Sequence, residues 1–162
     1  VGRVLLETGS PGPALEWYDR GWQIVQGSTM KLEERVIWHV RQLHGASRVA
    51  AQRREVRKAQ TLADEAKILM DGDAANLEHY NWIYPYLLGY LHYQDKRYEE
   101  AIAEFTAGYE VEPRPVFLFN IAQARKQVGD CRAVQAFRRF LAAVELLPGV
   151  RFRLVVEGQA VA

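Results

Sequence analysis

The chain has 162 residues, a formal net charge of +1 and a single cysteine, Cys131. Its length suits one domain with a sizeable core, and its 49% apolar and 25% charged residues are usual for a globular protein. The balanced charge gives no overall field that would attract nucleic acid, and one cysteine excludes an intrachain disulfide. No apolar run approaches the roughly 18 residues of a membrane span, so we expect no membrane span. We also expect a cytoplasmic location, although a single cysteine leaves the redox compartment open.

Breaker residues divide the first half of the chain into helix-sized segments. GSPGP at 9–13 opens one segment, in which Pro13 suits the first helical turn because its missing N–H costs nothing there. After the QGST break at 26–29, Ser28 or Thr29 is predicted to cap the next helix. Residues 31–70 contain no proline but are long for one helix, so we expect a turn near 52–55.

Later breaks are expected at 71–76, 94–97, 110–115, 128–131 and 146–149. Before residue 147 no segment alternates with period two, whereas apolar residues recur at helical spacing. Only RFRLVVEG in the tail looks strand-like. The chain is therefore predicted to be all-α and built from helix hairpins.

Residues 82–113, WIYPYLLGYLHYQDKRYEEAIAEFTAGYEVEP, place small and bulky side chains at regular intervals. These positions are Leu88, Gly89, Ala101, Phe105 and Pro113. The stretch resembles a tetratricopeptide repeat, whose pattern has Leu-Gly, then A-x3-F, then Pro. Pro85 departs from that pattern, which favours a bulky group there. We expect Gly89 and Ala101 to lie where two helices cross closely, with Leu88, His92 and Phe105 filling the space beside them.

Three other stretches resemble weaker copies of this unit. Their small and aromatic positions are Ala14, Tyr18 and Gly21; then Ala59, Ala63 and Ala66; then Ala122, Ala133 and Phe137. Ala14 and Ala59 are 45 residues apart and Ala59 and Ala101 are 42 apart, against a family period of about 34, so the middle helices are longer than usual. The resemblance covers residues 1–147 and implies a right-handed superhelical solenoid of antiparallel helix hairpins. Residues 148–162 form a tail.

An aromatic stripe, HYNWIYPYLLGYLHY, occupies residues 79–93. Trp82, Tyr86, Tyr90 and Tyr93 are spaced by four, four and three residues, which places them on one helix face. In the resembled family the first helix of each hairpin lines a concave groove. The resemblance therefore implies a peptide-binding groove made of Tyr86, Tyr90, Tyr93, Gln94, Asn120, Gln123, Gln127, His44 and Arg48, with Gln52 beside them. The alternative is that the tyrosines are buried between repeats, and both interpretations stay open.

Other patterns favour no chemistry. The four histidines lack metal-ligand spacing, so no metal or cofactor is expected. Cys131 follows a turn with no histidine nearby and is interpreted as a small core residue. The arginines of SRVAAQRREVRKAQ are interpreted as a solvated face. A carboxylate clamp is not expected, because the basic partners of Asn120 are missing.

We expect a non-enzymatic scaffold or adaptor that binds a peptide or a partner protein. The alternative is a sensor or regulatory module of a larger signalling protein or transcription factor. The first helix begins in the middle of a repeat at Val1, and the tail carries apolar residues such as Phe152. We therefore expect a fragment whose uncapped ends can self-associate.

Overall fold

The computed structural model describes residues 1–73 and 77–145, and within these ranges it contains eight α-helices and no strand. The helices are α1 (Gly2–Glu7), α2 (Pro11–Gln26), α3 (Leu32–Gln52), α4 (Val56–Gly72), α5 (Ile83–Gln94), α6 (Tyr98–Val111), α7 (Pro115–Gln127) and α8 (Ala133–Glu145). A short 3-10 helix (Glu78–Tyr80) precedes α5. The all-α prediction is confirmed, while the tail 148–162 and its strand-like stretch lie outside the described residues.

The helix boundaries agree with most of the breakers. The turn expected near 52–55 separates α3 from α4. Pro13 lies in the first turn of α2, and Pro85 is the third residue of α5, where the amide needs no partner. The prediction that Ser28 or Thr29 caps the next helix is wrong, since α3 begins only after residue 31. The Ser28 hydroxyl instead donates to the Val25 carbonyl at 2.7 Å and ends the previous helix.

Every odd-numbered helix ends in the same turn. Two residues beyond its last residue the backbone is left-handed, at Gly9 (φ 78°), Arg54 (φ 60°), Lys96 (φ 63°) and Gly129 (φ 73°). In the second of these turns, Arg54 N donates to Ala51 O at 3.0 Å and Glu55 N donates to Ala50 O at 2.9 Å. In each of the other three turns, the left-handed residue donates its N–H to the carbonyl three residues earlier, and the next residue donates to the carbonyl five residues earlier. This is the Schellman motif, which satisfies the last carbonyls of a helix.

The four turns divide the chain into four helix pairs, α1/α2, α3/α4, α5/α6 and α7/α8, and the helices of each pair pack together. Neighbouring pairs are joined by packing of α2 on α3, α4 on α5 and α6 on α7. Helix α3 also contacts α1 and α5. The odd-numbered helices therefore meet one another as well as their own partners.

The main core lies between α3 and α8 and is built around aromatic rings. Phe105 of α6 packs so closely on Gly89 of α5 that an added Cβ would lie 2.6 Å from the Phe105 Cδ1 atom. Phe117 of α7 covers Gly108 of α6 in the same manner. Gly89 is thus a site of close approach, and its nearest neighbour is Phe105.

Of the residues predicted to fill the core beside Gly89, Phe105 is buried there, but the buried positions of α5 itself are offset from the predicted ones. Leu88 and His92 are only half-buried, whereas Leu87 and Leu91 are 1% and 3% exposed. The expectation for Leu88 and His92 is therefore only partly met. The reason is that α5 packs on α3 and α4 as well as on α6, which widens its buried face.

Candidate binding surface

The nine residues predicted to line a groove lie on α3, α5 and α7. They are His44 and Arg48 on α3; Tyr86, Tyr90, Tyr93 and Gln94 on α5; and Asn120, Gln123 and Gln127 on α7. Contacts between their side chains link the three helices, and we name the surface formed by these nine residues the α3–α5–α7 face. The ring centroids of His44 and Tyr86 are 5.4 Å apart, which joins α3 to α5. Asn120 lies close enough to Tyr86 to influence its pKa, which joins α5 to α7.

Two of the nine residues form a buried floor. Tyr86 is 5% exposed and Arg48 is 3% exposed, so neither offers surface to a partner. Tyr86 is enclosed because Phe105 and Phe117 pack on it, with ring centroids 6.1 and 6.0 Å away. The Arg48 guanidinium carbon lies 5.6 Å from the Tyr86 ring centroid and 4.8 Å from that of Tyr90. These distances suit cation–π attraction.

The buried Arg48 charge is matched by a carboxylate from a distant part of the chain. Its Nη2 donates to Oε1 of Glu7, the last residue of α1, at 2.7 Å. Burial acts to lower the pKa of Arg48, but the neighbouring tyrosines and the hydrogen bond to Glu7 raise it on balance. The guanidinium therefore stays charged, while the Glu7 side chain remains 60% exposed.

His44 is held neutral beside this cation. Burial, followed by the Arg48 charge, lowers the pKa of His44 to about 3. Its Nε2 atom is cut off from solvent and has no hydrogen-bond partner among the described residues. The ring packs instead against Trp82, with centroids 6.2 Å apart and planes at 73°. The Nε2 nitrogen of His44 is therefore not available to a ligand at the surface.

Tyr86 is likewise fixed in its neutral form. Burial raises the pKa of Tyr86 to about 12, whereas the charge of Arg48 and the side chain of Asn120 act to lower it. The Asn120 Nδ2 atom is also buried, close to Tyr86. The floor therefore contains polar groups that lie beneath the surface.

The rim of the face is made of half-exposed aromatic and amide groups. The Tyr90 hydroxyl accepts a hydrogen bond from Gln52 Nε2 at 2.8 Å, which ties α5 to the end of α3. Burial raises the pKa of Tyr93, and the nearby Gln127 acts to lower it. Gln127 is exposed. Gln94 and Gln123 are half-buried.

The cluster also contains two groups that the sequence did not assign to it. The Arg114 guanidinium carbon lies 4.3 Å from the ring centroid of Trp82, and Glu7 supplies the partner of Arg48. Arg114 lies between two prolines just before α7, and Glu7 is separated from Arg48 by the whole of helix α2. Neither position shows a local pattern that indicates this contact.

The structure bears on several other predicted features. Among the described residues, no three His, Cys, Asp or Glu side chains are grouped so that they could hold a metal ion. In the same part of the chain, every helix is too short or too polar to cross a bilayer. The prediction that Cys131 is a core residue is wrong, because its side chain is exposed in the turn between α7 and α8.

No protein-family model, curated protein or solved structure matches this chain. The class that the structure itself defines is an all-α protein made of packed helix pairs.

Proposed function

We propose that the chain is a tetratricopeptide-like solenoid of helix hairpins that binds a peptide or a partner protein on the α3–α5–α7 face. The observation that carries this proposal is the direct contact between equivalent faces of alternate helices. His44, Tyr86 and Asn120 lie in one row across the three helices, and Tyr93 and Gln127 lie beside each other further along. An extended partner lying across these helices would contact the half-exposed residues of the face, since Tyr86 itself is buried.

The repeated turns support the solenoid part of the proposal. Four identical Schellman turns place the same break at the end of every odd-numbered helix. The packing of α3 on both α1 and α5 is the arrangement that stacked hairpins produce. In helical-repeat proteins such stacking creates an extended surface from one helix of each hairpin.

The chemistry of the rim suits a peptide. Tyrosine supplies a large contact area with little rotamer entropy to lose, and glutamine can both donate to and accept from a peptide backbone. The rim groups Tyr93, Gln123 and Gln127 stand over a floor whose Arg48 and Tyr86 are locked by packing. A surface held in place before binding loses less free energy on ordering than a mobile one.

The test is a selection of displayed random peptides on the protein, followed by affinity measurements with matched variants. Tyr93→Ala and Gln127→Ala remove rim groups. Tyr109→Ala and Gln135→Ala are the controls, because they change the same residue types on the even-numbered helices α6 and α8. We expect the two rim substitutions, combined in one protein, to lower its affinity for the selected peptides by about tenfold or more. The two control variants together should leave affinity within about twofold.

Circular dichroism and thermal melting establish that each variant is folded before affinities are compared. Equal weakening by the rim pair and by the control pair would contradict the proposal. So would peptides that bind the wild type and the rim pair equally well. Binding of the protein to itself on the same face, seen as competition between peptide and dimer, would identify a second copy as the partner.

A further inference from the structure

A pocket of about 360 Å³ lies between α2 and α3, close to the connection between them. It is lined by Trp22, Gln26, Leu32, Arg35, Val36 and His39. None of these residues belongs to the α3–α5–α7 face. The volume is at the lower end of the range that binds small molecules, which is about 300–1,000 Å³.

The walls of the pocket are mostly apolar. Trp22 and His39 stack in parallel, with ring centroids 4.4 Å apart and planes at 2°. Burial lowers the pKa of His39 despite the opposing charge of Glu65, so its ring is neutral near pH 7. Leu32 and Val36 supply aliphatic surface, and Leu32 is 68% exposed at the mouth.

The only charged side chain among the lining residues is Arg35. Its side chain is half-buried, and it forms no ion pair and no side-chain hydrogen bond with any described residue. A guanidinium without a carboxylate partner can give a charge-assisted hydrogen bond to an anionic ligand. The pocket thus combines mostly apolar walls with one unpaired cation.

We propose that this pocket binds a small organic anion, with an aromatic body stacked along Trp22 and an acidic group held by Arg35. The volume admits one or two fused rings, and the single cation matches a single negative charge. This site is independent of the proposed peptide surface, since it lies on the first half of α3 and His44 and Arg48 lie on the second. Either proposal can fail without the other.

The test compares two fluorescent probes that share one aromatic framework. The first is 1-anilinonaphthalene-8-sulfonate, and the second is N-phenyl-1-naphthylamine, which lacks the sulfonate. Arg35→Gln removes the charge from the pocket, and Arg57→Gln is its control, being an exposed arginine of α4. Leu32→Trp narrows the mouth at an exposed position and leaves the core unchanged.

We expect saturable binding of one sulfonate probe per chain, with affinity reduced about tenfold or more by Arg35→Gln and by Leu32→Trp. Arg57→Gln should have no effect. The neutral probe should bind the wild type and Arg35→Gln with similar affinity. In two-dimensional NMR the indole signal that disappears in Trp22→Phe should move on titration. Non-saturable binding, an unmoved Trp22 signal, or equal effects of Arg35→Gln and Arg57→Gln would overturn the proposal.

Discussion

At the residue scale, the closest packing is that of aromatic rings on glycines. Phe105 lies over Gly89 and Phe117 lies over Gly108, each ring coming from the next helix along the chain. The ring occupies the space that a side chain would fill, so the two helix backbones can approach. The sequence pattern predicted a close approach at Gly89 with Phe105 beside it, and the structure places the Phe105 ring directly over Gly89.

We predict that Gly89→Ala destabilises the protein because the added methyl group would meet Phe105 at 2.6 Å. The matched control is Gly21→Ala in α2, where nothing lies within 4 Å of the new Cβ. Both changes gain the same helix propensity, so their difference isolates packing. Urea unfolding should give Gly89→Ala a free energy of unfolding roughly 1–3 kcal/mol below that of Gly21→Ala. Equal stability of the two variants would show that the Phe105 contact is looser than described.

Also at the residue scale, His44 should make stability depend on pH. Its pKa falls from 6.5 in the unfolded chain to about 3 in the fold, so between these values the unfolded chain binds more protons. The free energy of unfolding should therefore decrease as pH falls below 6.5, by up to about 1.4 kcal/mol per pH unit. Above pH 7 this contribution is fully present and constant.

The measurement is urea unfolding of the wild type and of His44→Gln at pH 7 and pH 5. The wild type should lose roughly 1–2 kcal/mol more than the variant between the two conditions. His39 and His92 also have lowered pKa values because of burial, but they are common to both proteins and cancel in the comparison. An identical pH dependence in the two proteins would mean that His44 is accessible to protons in the fold.

At the element scale, four helix ends share one turn but differ in the residue at its left-handed position. Glycine occupies that position in the first and last turns, whereas Arg54 and Lys96 occupy it in the two middle turns. A side chain in the left-handed region costs about 1–2 kcal/mol, and glycine avoids this cost at the expense of backbone entropy in the unfolded chain. The two middle turns therefore carry strain that the outer turns lack.

At the left-handed position of these turns, replacing glycine and introducing glycine should have opposite effects on the free energy of unfolding. Gly129→Ala should lower the free energy of unfolding by about 1 kcal/mol, since φ is 73° and nothing lies within 4 Å of the new Cβ. Lys96→Gly should be neutral or stabilising by up to about 1 kcal/mol. Thermal melting of both variants and the wild type measures these changes in stability. A destabilised Lys96→Gly beside an unchanged Gly129→Ala would contradict the left-handed assignment.

Elements were easier to predict than the positions of side chains. Breakers such as Pro13 and the GD pair at 129–130 mark helix ends locally, so the helices could be read from the sequence. The resemblance assigned Tyr86 and Arg48 to a groove, with burial of the tyrosines left open, because helical spacing gives only the side of the helix on which a residue lies. Their burial depends on Phe117 and Glu7, which are far away in sequence. Such contacts have no local pattern.

At the scale of the whole molecule, side-chain contacts among α3, α5 and α7 join alternate helices of the repeated pairs. The floor of the α3–α5–α7 face is buried and its rim is half-exposed, so the residues that stabilise the fold differ from those proposed to bind. Tyr90 belongs to both the floor and the rim, since its hydroxyl accepts a hydrogen bond from Gln52 and its ring lies beside the Arg48 guanidinium. Tyr93 and Gln127 are therefore better probes of binding than Tyr90.

The most direct test of the proposed binding surface is NMR shift mapping of a selected peptide on the isotope-labelled protein. The largest shifts should fall on Tyr93, Gln94, Gln123 and Gln127, and the signals of Tyr109 and Gln135 should not move. Intermolecular nuclear Overhauser contacts should then connect the peptide to side chains of both α5 and α7. Shifts concentrated on the even-numbered helices, with the α3–α5–α7 face unaffected, would contradict the proposal.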